Sequence, residues 1–236
     1  MTGVRCRAGH RVPDVQGDER GAGEASVTGA TEDLDIRDAA ERWPVTSSAT
    51  LCEARLVRLR EDQVRMPEGE VVARDVLEHP GAVAVVALDA DEQVLMIRQY
   101  RHPVGRLLWE IPAGLRDVAG EPLHETARRE LVEETGYRAA QWSVLADVFT
   151  SPGISTERVR LFLATDLTEI PESERSYVRQ HEEAHLVLAR VPLETAVTRV
   201  LTGDLHNGVT ALGILSAYAA RADGFAMLRD ADAPEH

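Results

Sequence analysis

Arg129-Glu130-Leu131-Val132-Glu133-Glu134 puts three carboxylates and a guanidinium into six residues of what reads as a single helix. That helix has clear ends. Pro122 suits the first helical position, and Gly136 suits the left-handed residue after the last turn. At about 100° per residue, with Leu123 at zero, Ala127 and Leu131 fall near 40° and 80° and define a core-facing stripe. Glu130 and Glu134 land near −20° and 20°, beside or within the stripe, with Glu133 and Arg129 further round. Two carboxylates one turn apart and partly withdrawn from water repel each other, and burying them unpaired is costly or raises their pKa values. A hard divalent cation resolves the conflict, since Mg²⁺ favours carboxylate oxygens and keeps waters for substrate phosphates. A solvated Glu/Arg face held by i,i+4 pairs is the competing arrangement, and periodicity alone leaves both open.

The stretch from Gly114 to Tyr137 resembles the Nudix box, Gly-x5-Glu-x7-Arg-Glu-apolar-x-Glu-Glu-x-Gly-apolar. Gly114, Glu121, Arg129, Glu130, Leu131, Glu133, Glu134, Gly136 and Tyr137 occupy the pattern. It departs at one point: six residues, not five, separate Gly114 from Glu121, in the loop before the helix, where an insertion is absorbed. The resemblance implies an α+β fold, the Nudix α/β/α sandwich with a mixed sheet. It also implies Mg²⁺ or Mn²⁺ held mainly by Glu130 and Glu134, with Glu133 as a ligand or acting through water. Arg129 would pair with a box glutamate and hold its carboxylate in place. Glu121, just before Pro122, would act as an acceptor at the helix start, close to the metals.

Flanking residues are similar to those of the ADP-ribose pyrophosphatases within that family. Trp109-Glu110-Ile111-Pro112-Ala113-Gly114 looks like their Glu-x-Pro-Ala-Gly lead-in, which implies that the Ala113 carbonyl is a further metal ligand. Pro152 lies fifteen residues past Tyr137 and matches the proline that marks these enzymes. Gln99-Tyr100-Arg101 is also similar, and Arg101 could bind a diphosphate as a bidentate donor; Glu110 joins it as a candidate substrate contact. His181-Glu182-Glu183-Ala184 resembles their base-bearing segment. Glu183 aligns with the general base and Glu182 stands next to it, while His185 departs from the acidic residue expected there. The implied reaction is hydrolysis of ADP-ribose, or a related ADP-sugar, to AMP and ribose 5-phosphate by metal-activated water. Another nucleotide sugar or dinucleotide as substrate, or a non-catalytic ADP-ribose sensor on the same fold, are the alternatives.

The elements that must position these residues can be read from patterning. Residues 1–45 hold six of the 17 glycines and few large apolar side chains, so they are expected to lack fixed structure. Residues 46–79 read as a small antiparallel β subdomain, with strands at Ala54–Leu59 and Glu70–Val76 about the turn Met66-Pro67-Glu68-Gly69. Residues 80–225 form the expected catalytic domain. Its strands are expected at Ala82–Leu88, Gln93–Gln99, Trp142–Phe149, Val159–Ala164 and His185–Ala189. Its helices are expected at Pro122–Thr135, Pro192–Leu201 and Asn207–Ala222. Residues 226–236 are expected to trail off as a tail. The resemblance further implies a homodimer in which residues 46–79 help build the partner's adenine pocket, with Trp43 or Arg55 against the base.

Composition excludes other classes. The chain has 236 residues and a formal charge of −14, which opposes generic binding to nucleic acid or anionic membrane. All 26 basic residues are arginine, so Schiff-base chemistry and a Walker P-loop are excluded. The longest apolar run, Ala82–Leu88, is far too short to cross a bilayer. Cys6 and Cys52 give neither a disulfide framework nor a CxxC zinc pair, and the histidines lack zinc spacing, so a soluble, reduced, cytoplasmic protein is expected.

Overall fold

The computed structural model describes residues 36–175 and 186–235, together with the backbone of Arg5–Cys6. Glu182, Glu183 and most of the N-terminal stretch expected to lack fixed structure lie outside the described residues. The chain divides into two compact units, Met1–Val76 and Leu77–His236.

The first unit is built on an antiparallel sheet whose strands run in the order β1 (Arg5–Cys6), β2 (Val45–Glu53), β3 (Arg58–Arg65) and β4 (Val71–Glu78). The strand expected at Ala54–Leu59 is mostly a turn. Ala54 donates its N–H to the Val57 carbonyl at 2.9 Å, and the strand proper is Val45–Glu53, whose Val-Thr-Ser-Ser-Ala-Thr run has the β-branched bias but little hydrophobic alternation. The Met66–Gly69 turn forms where expected, closed by Gly69 N–H to Met66 O at 2.9 Å. Cys52 is disulfide-bonded, which corrects the expectation of reduced thiols; strand pairing sets it opposite Cys6 in register.

In the second unit a five-stranded mixed sheet runs in the order β12 (Arg229–Asp230), β9 (Tyr137–Phe149), β10 (Arg158–Glu169), β5 (Ala82–Ala87) and β8 (Ala113–Leu115). Only β10 and β5 pair in parallel; the other pairings in this sheet are antiparallel. A three-stranded sheet places β6 (Gln93–Arg101) between β11 (Val187–Pro192) and β7 (Arg106–Glu110). Strand β5 is apolar on both faces, as a strand covered on both sides must be. Val83, Val85 and Ala87 pack with Ala127 and Leu131 of α1 (Leu123–Thr135). Ala84 and Val86 pack on the opposite face with Leu193, Ala196 and Val197 of α2 (Leu193–Leu201) and Ile214 and Ala217 of α3 (Gly208–Ala220). Two such helical layers about a central sheet are the expected sandwich. Among the described residues no helix is long and apolar enough to cross a membrane.

The segment expected to trail off does not. Arg229 and Asp230 pair with Val144 and Ser143 of β9, and Ala231 and Ala233 pack against the α1-side core. The anchor is a buried ion pair. Arg160 of β10, 3% exposed, forks onto its cross-strand partner Asp147 at 2.7 and 2.9 Å, and Arg229 donates to the same carboxylate at 2.9 Å. Burial pushes the Asp147 carboxyl up, but the two guanidiniums more than reverse this and hold it below the usual range.

Removing one member of such a pair strands the other. Asp147→Ala should lower unfolding stability by about 3–5 kcal/mol, whereas the double change Arg160→Met/Asp147→Leu should recover most of that loss. Urea unfolding of both variants checks this; a double variant no more stable than Asp147→Ala would refute it.

Candidate active site

The carboxylate helix is held at both ends by local chemistry. Pro122 caps its start with an extended ψ of 142°, and Gly136, at φ 75°, closes its last turn through an N–H bond to the Val132 carbonyl at 2.9 Å. The six-residue spacing before Glu121 is absorbed by a tight turn, Glu121 N–H to Val118 O at 3.2 Å. Ala127 and Leu131 are fully buried, and the helix wheel places Glu130 and Glu134 where the structure has them, at the edge of the buried stripe.

Glu134 is 6% exposed, and its Oε2 accepts the Ala113 N–H of β8 at 2.9 Å. Glu130 lies against the next residue of the same strand: a methyl group at Gly114 would overlap its carboxyl. This fixes the need for glycine there by close approach. Burial is the main reason that Glu130's pKa is pushed up to about 7; neighbouring Glu133 adds to the rise and Arg129 opposes it.

Arg129 is the hub. Its guanidinium meets Glu130 at 2.7 Å, Glu121 at 3.2 Å, Glu133 at 3.4 Å and Asp117 at 3.7 Å. The expected pairing of Arg129 with a box glutamate is therefore present, and it extends to the other acids around it. Glu121 accepts from the hydroxyl of Thr126, in the first turn of α1, at 2.8 Å, an acceptor at the helix start. The Arg129 and Thr126 hydrogen bonds hold Glu121 below the usual carboxylate range.

Among the described residues no three Asp, Glu, His or Cys side chains are gathered into a ready cage for an ion; Arg129 supplies the positive charge among the acids. The donor set nevertheless fits Mg²⁺ or Mn²⁺. Its donors are hard carboxylate oxygens, one of them desolvated enough to hold a proton near neutrality, seated in a cradle that only glycine leaves open. Glu130, Glu134 and Glu133 would hold the cation, with the Ala113 carbonyl at the adjoining edge of β8.

Ala113 and Gly114 also line a cleft of about 300 Å³, into which Arg101 and Glu110 project. These two candidates pair with each other. Arg101 Nε and Nη2 fork onto Glu110 at 2.6–3.1 Å, and Glu110, 2% exposed, also accepts from Gln99 at 3.2 Å. The hydrogen bonds that Arg101 donates to Glu110 raise the Arg101 pKa, and the guanidinium it presents to the cleft is charged. Arg55 lies in the β2–β3 turn of the first unit and is not among the cleft residues. Sequence reasoning missed His79 and Glu157, which line the cleft 3.7 Å apart, and Thr210, whose hydroxyl accepts the Ile111 N–H at 3.1 Å. Asn207, whose side chain caps α3 at Thr210 N–H, was legible as a helix-start residue but not as part of a cleft.

The profile of the NUDIX domain matches residues 78–205. The chain is 49% identical to an ADP-ribose pyrophosphatase of Mycobacterium tuberculosis over 79% of its own length and 87% of that protein. It is 36% identical to an ADP-ribose pyrophosphatase of Bacillus subtilis over 68% and 84% of the two chains. A crystal structure of an ADP compounds hydrolase superposes with a TM-score of 0.66 at 20% identity, covering 80% of this chain and 99% of that one, and so shares the fold.

The raised Glu130 value has a sign that can be worked out. An unfolded glutamate titrates near 4.5 and the folded one near 7, so between these values the native state holds the extra proton. Glu130's contribution to stability is therefore greatest below about pH 4.5 and is lost as pH rises towards 7. In chelator-treated protein, Glu130→Gln should gain stability relative to the parent between pH 5 and pH 8 by urea unfolding; parallel pH profiles would contradict the assigned burial.

Proposed function

Because the chain belongs to the NUDIX family of hydrolases, we propose that it is a Mg²⁺- or Mn²⁺-dependent ADP-ribose pyrophosphatase. The single observation that carries this is the seating of Glu130 on Gly114 and of Glu134 on the Ala113 N–H, which sets two carboxylates against two residues that line a cleft. The relatives that share most of the chain and are named for ADP-ribose supply the substrate.

A phosphoanhydride resists water because its anionic oxygens repel a nucleophile. The divalent cation, when bound, neutralises that charge and acidifies a water molecule. Glu130, Glu134 and Glu133 hold it at the β8 edge. Arg129, tied to Glu121, restrains the Glu130 and Glu133 carboxylates so that little reorganisation is needed in the reaction. Arg101, fixed by Glu110, supplies fork-shaped donors to the diphosphate. Glu183, outside the described residues, takes the proton from water as it attacks one phosphorus. The P–O bond to the bridging oxygen breaks, giving AMP and ribose 5-phosphate. A homodimer belongs to the same reading; Trp43, Val45, Leu56 and Val71 of the first unit are exposed apolar side chains suited to burial against a second copy, with Arg55 near them in sequence for the adenine.

Turnover of ADP-ribose, NADH, diadenosine polyphosphates and sugar nucleotides with Mg²⁺ or Mn²⁺ tests the reading. AMP should be released from ADP-ribose in preference to the rest. Binding without turnover would instead identify a sensor, and preference for another nucleotide would reassign the substrate. Glu130→Gln and Glu134→Gln should each lower kcat by on the order of a hundredfold or more with the fold intact. Glu183→Gln should lower kcat at unchanged metal affinity, and full activity there would move the base elsewhere.

A further inference from the structure

The carboxylate helix and the loop before it are tied, from outside residues 114–137, by residues 229–235. Asp232 Oδ1 meets His124 Nδ1 at 2.9 Å in the first turn of α1, and the other ring nitrogen of His124 meets Glu125 at 3.0 Å. Glu235 meets Arg116, the first residue after β8, at 3.2 Å, and Arg158 at 4.0 Å. Arg116 is itself pinned by its N–H to the Gly81 carbonyl at 3.1 Å. The two acids thus grip the loop of residues 116–122 at its start and the helix just beyond its end.

This grip has a rigid base. The pairing of Arg229–Asp230 with β9 and the Arg160–Asp147–Arg229 cluster lock one end, and Arg160 Nη1 donates to the Ala233 carbonyl at 2.5 Å further along. Ala231 and Ala233 share a core with Ala127 and Leu131, the residues that seat α1 on the sheet. Isolated pairs as exposed as Asp232, at 81%, contribute little stability. What they can do, from a fixed support, is hold α1 at a set distance from β8. That spacing matters because Glu130 is wedged between the helix and Gly114.

We propose that residues 229–235 form a positioning strap in which Asp232, through His124, and Glu235, through Arg116, set the geometry of the Glu130/Glu133/Glu134 cation site. The proposal rests on the cation-site reading above. It assigns Asp232 and Glu235 no contact with substrate.

The test is direct Mn²⁺ binding to the full chain by calorimetry, without substrate, alongside thermal unfolding. Asp232→Asn/Glu235→Gln should weaken Mn²⁺ binding by on the order of tenfold, as loss of supports behind metal ligands does, with Tm close to the parent's. Saturating Mn²⁺ should restore kcat. A role in stability alone would lower Tm and leave Mn²⁺ affinity unchanged, which overturns the proposal. As a second route, Arg116→Gln and Glu235→Gln should each weaken Mn²⁺ binding and their combination should add nothing further; additive effects would overturn the Arg116–Glu235 coupling. Asp204→Asn, in an exposed pair with Arg199 at the end of α2, should leave affinity unchanged. If Glu130→Gln binds Mn²⁺ as the parent does, the cation site itself fails. If Glu130→Gln loses Mn²⁺ while the strap variants keep it, only the strap fails.

Discussion

The constraint that organises this protein is the withdrawal of the Glu130 and Glu134 carboxylates from water against a three-residue edge strand. Burial of Ala127 and Leu131 pulls the helix down onto the sheet, and a fully buried leucine is worth about 2 kcal/mol. The same docking drags two acids into a region where an unpaired carboxylate costs several kcal/mol. The fold meets that cost with a backbone donor for Glu134, a guanidinium for Glu130, and an acid outside the helix, Glu121, to keep the guanidinium in place. Removing any of these would leave the helix seated but its charges wrongly placed, which is a failure of chemistry before it is a failure of folding.

Sheet sidedness explains where the site can lie. Along β5, alternate residues feed two separate cores, one under α1 and one under α2 and α3. The edge at β8 is different: it is short, it follows Pro112, and its Ala113 and Gly114 both touch the carboxylates of α1 and line the cleft. The proposed site therefore falls at the point where the sheet ends, as loops on a rigid scaffold lead one to expect.

What could be read from the sequence divides along a physical line. Helix α1 and its acids were legible because a 3.6-residue period, a proline and a glycine are local signals, and the box spacing adds a second, independent constraint. Strands β7 and β8 are not legible as strands, since Pro112 and the short runs around it carry no alternation. The turn at Ala54–Val57 reads as strand because Leu56, Val57 and Leu59 supply apolar residues without saying which are paired. Arg101 and Glu110 were singled out separately, but a hairpin register is needed to show that each is the other's partner. His79 with Glu157, and Asp232 with His124, are separated by long stretches of chain; no pattern within one sequence couples them.

An all-arginine complement of cations suits this arrangement. Arg129, Arg101 and Arg160 each stand against buried or half-buried carboxylates, where a lysine would lose charge more readily and could not fork across two oxygens. Glu130 is the member left closest to neutrality, and that makes its proton and a divalent cation competitors for one site. On the proposed reading, a cation bound at Glu130 would displace a proton below about pH 7 and would relieve the ionised carboxylate above it. On the same reading, the geometry that leaves the helix electrostatically uneasy is the same geometry that a divalent cation would relieve.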